Sequence, residues 1–176
     1  MNIRPATLGD VAPLHILVER AYRGDSARKG WTHEADLLEG QRTDAEALRE
    51  IISDPQQRIL LAIEEQRLTG CVQISAKQAA IAYLGLLSVD PDQQASGLGR
   101  ALIAAAEITA QCEFGAQAIE MTVIRQRSEL IAYYERRGYA LTGEARLFPL
   151  DDERFGLPVT RDLSFVVLAK SLQALP

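Results

Sequence analysis

The chain has few of the residues that build metal centres and disulfide frameworks. It contains two cysteines, Cys71 and Cys112, and two histidines, His15 and His33. None of these four forms a C-x-x-C or H-x-x-x-H pattern, so we expect neither a structural disulfide nor a bound metal. We expect both cysteines to be buried, reduced and inert.

The chain also lacks an excess of positive charge and a long apolar run. Its 19 Lys and Arg residues are outnumbered by 24 Asp and Glu residues, and the net charge is −5. Surfaces that bind nucleic acid are usually basic, so we expect no nucleic-acid partner. No run approaches the length that crosses a bilayer, and residues 1–5 lack the apolar segment of a signal peptide. We expect a cytoplasmic protein with no membrane partner.

The length and the hydrophobic pattern predict one α/β domain. A chain of 176 residues that is 47% hydrophobic can bury a substantial core, and we expect a single domain over residues 1–176. Hydrophobic periodicity predicts the order β-α-α-β-β-β-α-β-α-β-β, which favours an α/β sandwich with a mixed central sheet. Residues 23–36 are polar and are predicted to be a loop.

The segment after the predicted strand that ends at Val89 is the most informative. Residues 94–99 read Gln-Ala-Ser-Gly-Leu-Gly and precede a helix rich in alanine and leucine. The first N–H groups of a helix have no intrahelical acceptor, and the helix dipole favours an anion there. Gly97 and Gly99 have no Cβ, so a phosphate can approach the main chain closely. The segment therefore predicts an anion site; the alternative is a simple turn before a helix.

Two common phosphate-binding motifs do not match this loop. A Walker loop needs Lys and then Ser or Thr after its last glycine, whereas Arg100 and Ala101 follow Gly99. A dinucleotide fingerprint needs Gly or Ala where Leu102 stands, directly after a strand. An NAD-dependent oxidoreductase is therefore disfavoured.

The loop and a later helix together resemble the GCN5-related N-acetyltransferases, the GNAT superfamily. The spacing Q-x-x-G-x-G of the family's pyrophosphate loop is matched by Gln94, Gly97 and Gly99. The family's later helix ends Y-x-x-x-G-[FY], and the matching residues here are Tyr134, Gly138 and Tyr139. One predicted helix and one strand lie between the motifs, as in the family, and the resemblance covers residues 3–172.

The resemblance implies an acyltransferase that uses acetyl-CoA as co-substrate. The implied fold is a GNAT-type α/β sandwich whose mixed, mostly antiparallel sheet is splayed at the acetyl-CoA site. The implied reaction is direct transfer of the acetyl group to a primary amine, and we expect a small-molecule acceptor. A protein amine stays open as acceptor, as does a homodimer. The alternative function is a coenzyme-A-binding sensor or structural module without catalysis.

The resemblance also implies a set of coenzyme-binding residues. Main-chain N–H groups of Leu87 and Val89 would hold the thioester carbonyl, and Gly85 is expected to let this strand bulge. Arg100 either adds charge-assisted contacts or is a solvated helix residue. The complete predicted set is Leu87, Ser88, Val89, Gln94, Ala95, Ser96, Gly97, Leu98, Gly99 and Arg100.

Tyr134 occupies the position of the family's catalytic tyrosine, which protonates the departing thiolate. It shares a helix face with Leu130 and Gly138, whereas Tyr133 lies about 100° away around the helix. The alternative is a core aromatic residue.

The chain differs from the family's usual pattern at Arg127, which stands where many members carry an Asn. Because Arg cannot accept hydrogen bonds, Arg127 is expected to contact a phosphate or to pair with a carboxylate.

The acceptor site is less clearly indicated. Trp31, Glu34 and Arg42 lie in or near the loop where the family builds this site, and together they could hold a small amine with a carboxylate. Alternatively, Trp31 anchors the loop to the core and Glu34 is exposed. Residues 148–162 are expected to form another wall of this site. Candidates for the general base, chosen by charge alone, are Glu34, Asp36, Glu120 and Glu144.

Overall fold

Seven strands form the central sheet, and two short strands form a second sheet beside it. The structure is a computed structural model that describes residues 1–31, 33–94, 96–153 and 156–173. The strands are β1 (Asn2–Pro5), β2 (Leu38–Glu39), β3 (Gln57–Glu64), β4 (Arg67–Ala76), β5 (Ile81–Val89), β6 (Ala118–Ile124), β7 (Ala140–Leu147), β8 (Leu157–Pro158) and β9 (Ser164–Ser171). The helices are α1 (Val11–Tyr22), α2 (Gly24–Arg28), α3 (Ala45–Ser53), α4 (Leu98–Phe114) and α5 (Ser128–Glu135).

The strand order confirms the predicted mixed, mostly antiparallel sheet. The order is β1-β3-β4-β5-β6-β9-β7, and β2 pairs with β8 in the second sheet. Only β5 and β6 run parallel, and the other neighbours are antiparallel. The predicted loop over residues 23–36 is wrong in one part, because it contains α2.

The parallel pair β5–β6 separates after three residues. Ile81, Ala82 and Tyr83 pair with β6, and the rest of β5 pairs only with β4. The β4–β5 register shifts between Cys71 and Gln73, which is the predicted bulge. Leu86, not the neighbouring Gly85, takes the left-handed conformation, with φ of 51°.

Burial and hydrogen bonding hold Leu86 in this conformation. Its side chain is buried in the cluster that α1 forms against the sheet. Its carbonyl accepts hydrogen bonds from the Cys71 thiol at 3.5 Å and from the Ser88 hydroxyl at 3.1 Å. Strained residues persist where such contacts over-determine them. Burial raises the pKa of Cys71 to about 12, so the sulfur remains a thiol at neutral pH.

Two hydrophobic layers cover the two faces of the sheet. Alternate residues of β3 face opposite sides, as the two-residue strand period requires. Leu60 and Ala62 pack in the cluster that contains α4, and Ile59 and Leu61 in the cluster that contains α1 and Leu48 of α3. Cys71 is buried as expected, but Cys112 is exposed because it lies on the outer face of α4.

The described residues contain neither a membrane-spanning helix nor a cluster of metal-ligating side chains. No helix among them is long and apolar enough to span a membrane. The same residues include no group of three or more His, Cys, Asp or Glu side chains arranged to hold a metal ion.

A buried carboxylate anchors the chain where β5 leads into the glycine loop. Asp90 is 1% exposed. It accepts hydrogen bonds from Arg67 at 2.6 Å, from Arg20 at 3.3 Å and from the N–H of Asp92 at 3.1 Å. The Asp90 N–H also donates to the Thr69 carbonyl at 2.8 Å, so backbone and side-chain hydrogen bonds together fix the position of Asp90.

Replacing Asp90 with Ala is expected to lower the free energy of unfolding by about 2 kcal/mol, because charge-assisted hydrogen bonds and a turn cap are lost. Chemical denaturation measures the change. Asp92→Ala is the matched control, since its carboxylate is 57% exposed and also pairs with Arg20; we expect it to cost no more than about 0.5 kcal/mol. Equal losses in the two variants would contradict the anchoring role.

Candidate active site

Two cavities meet beside the separated half of β5. The first borders the glycine loop and is called the loop cavity; the second lies along β5 and β6 and is called the sheet cavity. Each has a volume of about 470 Å³, a size that suits a small-molecule ligand. The residues that line both cavities are Tyr22, Leu87, Arg127, Leu130 and Tyr134.

The glycine loop presents an open helix N-terminus to the loop cavity. Gly97 is the N-cap of α4 and has a φ of 86°, a conformation that favours glycine. The first α4 hydrogen bond runs from the Ala101 N–H to the Gly97 carbonyl. The N–H groups of residues 98–100 therefore have no acceptor inside the helix. A Cβ on Gly99 would lie 2.7 Å from the Tyr133 hydroxyl, so this approach needs glycine.

Nine of the ten predicted coenzyme-binding residues line the loop cavity, and the tenth, Ala95, lies outside the described residues. Their side chains differ in what they contact. The Ser88 hydroxyl is directed to the Leu86 carbonyl. The Gln94 side chain accepts a hydrogen bond from the Trp31 N–H at 2.8 Å. Arg100 is exposed, and its guanidinium lies near Gly97. The nine residues are Leu87, Ser88, Val89, Gln94, Ser96, Gly97, Leu98, Gly99 and Arg100.

The β5 backbone directs polar groups into the gap between β5 and β6. Asp90 donates its N–H to β4, so alternation along the strand turns the N–H groups of Val89 and Leu87 away from β4. The Leu87 carbonyl faces the same way and accepts a hydrogen bond from the Tyr22 hydroxyl at 2.9 Å. Burial raises the pKa of Tyr22 to about 12, so this hydroxyl stays protonated at neutral pH.

Tyr134 lies where the two cavities join. Its ring is buried, with edge contacts to Tyr133 and Tyr139 at centroid distances of 5.5 and 5.9 Å. Within the described part of the chain, its hydroxyl has no hydrogen-bond partner. Burial raises the pKa of Tyr134 well above its usual range, so it carries its proton at neutral pH. A protonated phenol at this junction can donate to a group in either cavity.

Trp31 forms part of the wall of the loop cavity. It is 43% exposed, so it does not anchor the loop in the core. Its ring lies 5.1 Å from the ring of Tyr133, and the guanidinium of Arg137, just after α5, lies 3.3 Å from the Tyr133 centroid. Trp31 lines the loop cavity, whereas Glu34 and Arg42 line the adjoining sheet cavity.

Glu34 is buried between two arginines. Arg23 donates to one carboxylate oxygen at 2.8 Å, and Arg127 donates to the other at 3.0 Å. Burial alone would raise the pKa of Glu34, but the charges of Arg127, Arg42 and Arg23 lower it overall. The exposed Glu34 of the alternative prediction is therefore wrong. Of the two predicted partners of Arg127, the structure shows the carboxylate.

Each predicted candidate for the general base is paired with a cation. Glu34 binds two arginines, and Asp36 is exposed and pairs with Arg28. Glu120 and Glu144 both bind Arg146. Among the described residues that line the sheet cavity, no carboxylate is without a cationic partner.

The second sheet closes one side of the sheet cavity. Pairing of β2 with β8 joins the loop that carries Glu34 to residues 148–162. Phe148 and Pro149 line the cavity, and the Phe148 ring lies 5.1 Å from that of Phe165. This agrees with the predicted wall; Phe155, in the same segment, lies outside the described residues.

Sequence reasoning missed Tyr22 and Arg23 as site residues. Tyr22 follows Leu14 and Val18 at four-residue spacing, so the helix pattern placed it in the core. Arg23 follows Tyr22 directly, and arginine is usually found on the protein surface. Only the tertiary contacts bring Tyr22 to the Leu87 carbonyl and Arg23 to Glu34.

Comparisons with known proteins agree with this arrangement. The Acetyltransferase (GNAT) family model matches residues 15–139. The fold is similar to the ribosomal-protein-alanine N-acetyltransferase of Brucella melitensis, with 17% identity, coverage of 98% of this chain and 100% of that chain, and a TM-score of 0.72. It is also similar to yncA of Salmonella typhimurium, solved with its cofactor acetyl-CoA (18% identity, 100% and 96% coverage, TM-score 0.70).

A third similar structure is a mutant of the spermidine N-acetyltransferase of Vibrio cholerae, with 16% identity, coverage of 98% and 95%, and a TM-score of 0.67. A comparison with curated protein sequences gave no match. The family match spans both sequence motifs and most of the residues that line the two cavities, and it shows that the chain belongs to the GNAT family of acetyltransferases.

Proposed function

We propose that this protein transfers the acetyl group of acetyl-CoA directly to a primary amine of a small molecule. The observation that carries the proposal is the junction of the two cavities at Tyr134. A coenzyme in the loop cavity and an amine in the sheet cavity would meet at this residue, with no covalent enzyme intermediate required.

The described residues of the loop cavity suit acetyl-CoA. The free N–H groups at the start of α4 and the open space beside Gly97 suit a pyrophosphate. Arg100 adds positive charge at the loop. Acetyl-CoA would supply the acetyl group as a thioester, and these residues would hold its phosphates.

The β5 backbone and Tyr134 would do the chemistry. The N–H groups of Leu87 and Val89 would stabilise negative charge on a carbonyl oxygen in the gap. Tyr134, protonated because it is buried, would give a proton or a hydrogen bond to the leaving group. Since the carboxylates that line the sheet cavity are already paired, the proton of the amine would leave through water.

A measurement of turnover distinguishes this proposal from the alternative, a coenzyme-binding module without catalysis. A panel of primary amines is incubated with acetyl-CoA, and release of free coenzyme A is measured. Acetylation of any member supports the enzyme. Tight acetyl-CoA binding with no acetylation across the panel would favour the sensor.

Tyr134→Phe is expected to lower the turnover number by about 100-fold, because it removes the proton donor and keeps the ring. Acetyl-CoA affinity, measured by calorimetry, should change little. Tyr139→Phe is the control, since its hydroxyl donates to Glu107 at 3.0 Å away from both cavities. Unchanged turnover of the Tyr134 variant in an assay limited by chemistry would remove the catalytic role.

Gly99→Val is expected to weaken acetyl-CoA binding by at least about tenfold. The valine side chain would displace Tyr133 and fill the space that the phosphates need at the glycine loop. Calorimetric titration measures the affinity, with NAD as a ligand that should not bind. Gly9→Val, in an exposed turn away from both cavities, is the control. Equal acetyl-CoA affinity in both variants would place the phosphates elsewhere.

Glu34→Gln is expected to lower the free energy of unfolding by about 3–5 kcal/mol, because two buried guanidiniums would lose the carboxylate that binds them both. Since the pKa of Glu34 is lowered in the folded state, its contribution is present above the unfolded-state pKa and is lost as the pH falls through the folded value. Denaturation at several pH values measures both effects. Asp36→Asn, an exposed pair, is the control. A stable but inactive Glu34 variant would instead indicate a general base.

A further inference from the structure

The described residues that line the sheet cavity carry more positive than negative charge, and Tyr134 is one of them. Three arginines, Arg23, Arg42 and Arg127, act on the single carboxylate of Glu34. Arg23 and Arg127 bind that carboxylate directly, one at each oxygen. Among the described residues that line this cavity, Arg42, Lys77, Arg127 and Arg146 are cationic, and Glu34 is the one carboxylate. Such a region favours an anionic group of the ligand.

Arg42 is the member of this cluster that faces the cavity without an ion pair among the described residues. Its guanidinium carbon lies 5.0 Å from the centroid of the Tyr22 ring. The N–H groups of Arg42 and Thr43 donate to the Glu19 carboxylate at 2.8 and 2.9 Å, which fixes the backbone under the side chain. A guanidinium supported on an aromatic face and held at its base is preorganised to bind a planar anion with its N–H groups.

The other charged residues of the cavity do not favour a polycation. Lys77 is a further cation, 5.2 Å from the centroid of the Tyr83 ring. Arg146 is held by Glu120 and Glu144. A polyamine would therefore meet guanidinium and ammonium groups, and in the described lining it would find no carboxylate free to pair with it.

Resting on the proposed function, we infer that the acceptor is a small primary amine that also carries a carboxylate, and that Arg42 binds this carboxylate. The guanidinium fork matches a carboxylate through two parallel hydrogen bonds. Tyr22 lies between Arg42 and the Leu87 carbonyl, so an acceptor held at Arg42 lies beside the gap between β5 and β6. The amine end of the same molecule would reach the Tyr134 junction.

The first test is a matched panel of acceptors. It contains the L-amino acids, β-alanine and 4-aminobutyrate, each beside its carboxamide and beside the amine that lacks the carboxyl group; spermidine is included. At least one amino carboxylate should be acetylated with kcat/KM roughly 30-fold above that of its carboxamide, a ratio typical of a charge-assisted hydrogen bond. Equal rates for carboxylates and carboxamides, or a preference for spermidine, would overturn the inference.

The second test uses variants of Arg42. For the preferred amino carboxylate, Arg42→Gln should raise KM by roughly 30-fold and leave kcat nearly unchanged. The low rate with the matched carboxamide should not change. Arg42→Lys should recover part of the affinity, because it restores the charge without the fork. Arg49→Gln, at an exposed surface pair with Glu46, is the control. An Arg42→Gln variant with wild-type KM would overturn the inference.

A binding measurement separates failure of this inference from failure of the proposed function. Protein saturated with coenzyme A is titrated calorimetrically with the same panel, and the single tryptophan, Trp31, reports coenzyme binding independently by its fluorescence. If amino carboxylates bind the wild-type protein but not Arg42→Gln, the inference is supported, even when no acetylation is seen. In that case the proposed acetyl transfer fails and the inferred binding of a carboxylate at Arg42 stands. Acetylation of amines with no carboxylate preference would retain the proposed function and overturn the inference.

Discussion

The separation of β5 from β6 is the constraint on which the rest of the site depends. A sheet that stayed paired beyond Tyr83 would satisfy the N–H groups of Leu87 and Val89 and would close the gap between the cavities. The bulge at Leu86 keeps β5 bonded to β4 while its other edge turns away. The cost of a left-handed leucine is offset by burial and by the two donors to its carbonyl. Catalytic geometry in this protein therefore begins with a local distortion of one strand.

A second constraint is electrostatic, and it links elements that are distant in sequence. Glu34 lies on the loop before β2, Arg23 follows α1, and Arg127 precedes α5. Each of the three charges is nearly buried. Moving one element away would leave a buried charge without this partner, and the free-energy cost of doing so holds the three elements in one arrangement. Glu34 and Arg127 line the sheet cavity, and Arg127 is also the N-cap of α5, the helix that carries Tyr134. Glu34 thus acts on the site through position and charge.

The features predicted from sequence are those with local causes. The strand periods, the spacing of Gly97 and Gly99, and the helix face that carries Tyr134 all follow from short-range patterns. The two-residue strands β2 and β8 are too short to show alternation, and α2 has only one buried residue. The contact of Glu34 with Arg127 spans 93 residues and has no local signal. Trp31 and Glu34 are close in sequence yet line different cavities.

The residue at position 127 changes what the sheet cavity can bind. An Asn there could both donate and accept hydrogen bonds without adding charge, whereas Arg127 only donates and brings a buried cation. Glu34 pairs with that cation, and Arg42 adds a further positive charge to the described lining of the same cavity. Tyr22 connects the two features, since its ring supports Arg42 and its hydroxyl donates to the Leu87 carbonyl in the gap between β5 and β6. The charge of the sheet cavity and the backbone of the gap are therefore coupled through the side chain of Tyr22, so selection for an anionic acceptor would act on Arg42, Tyr22 and Arg127 together.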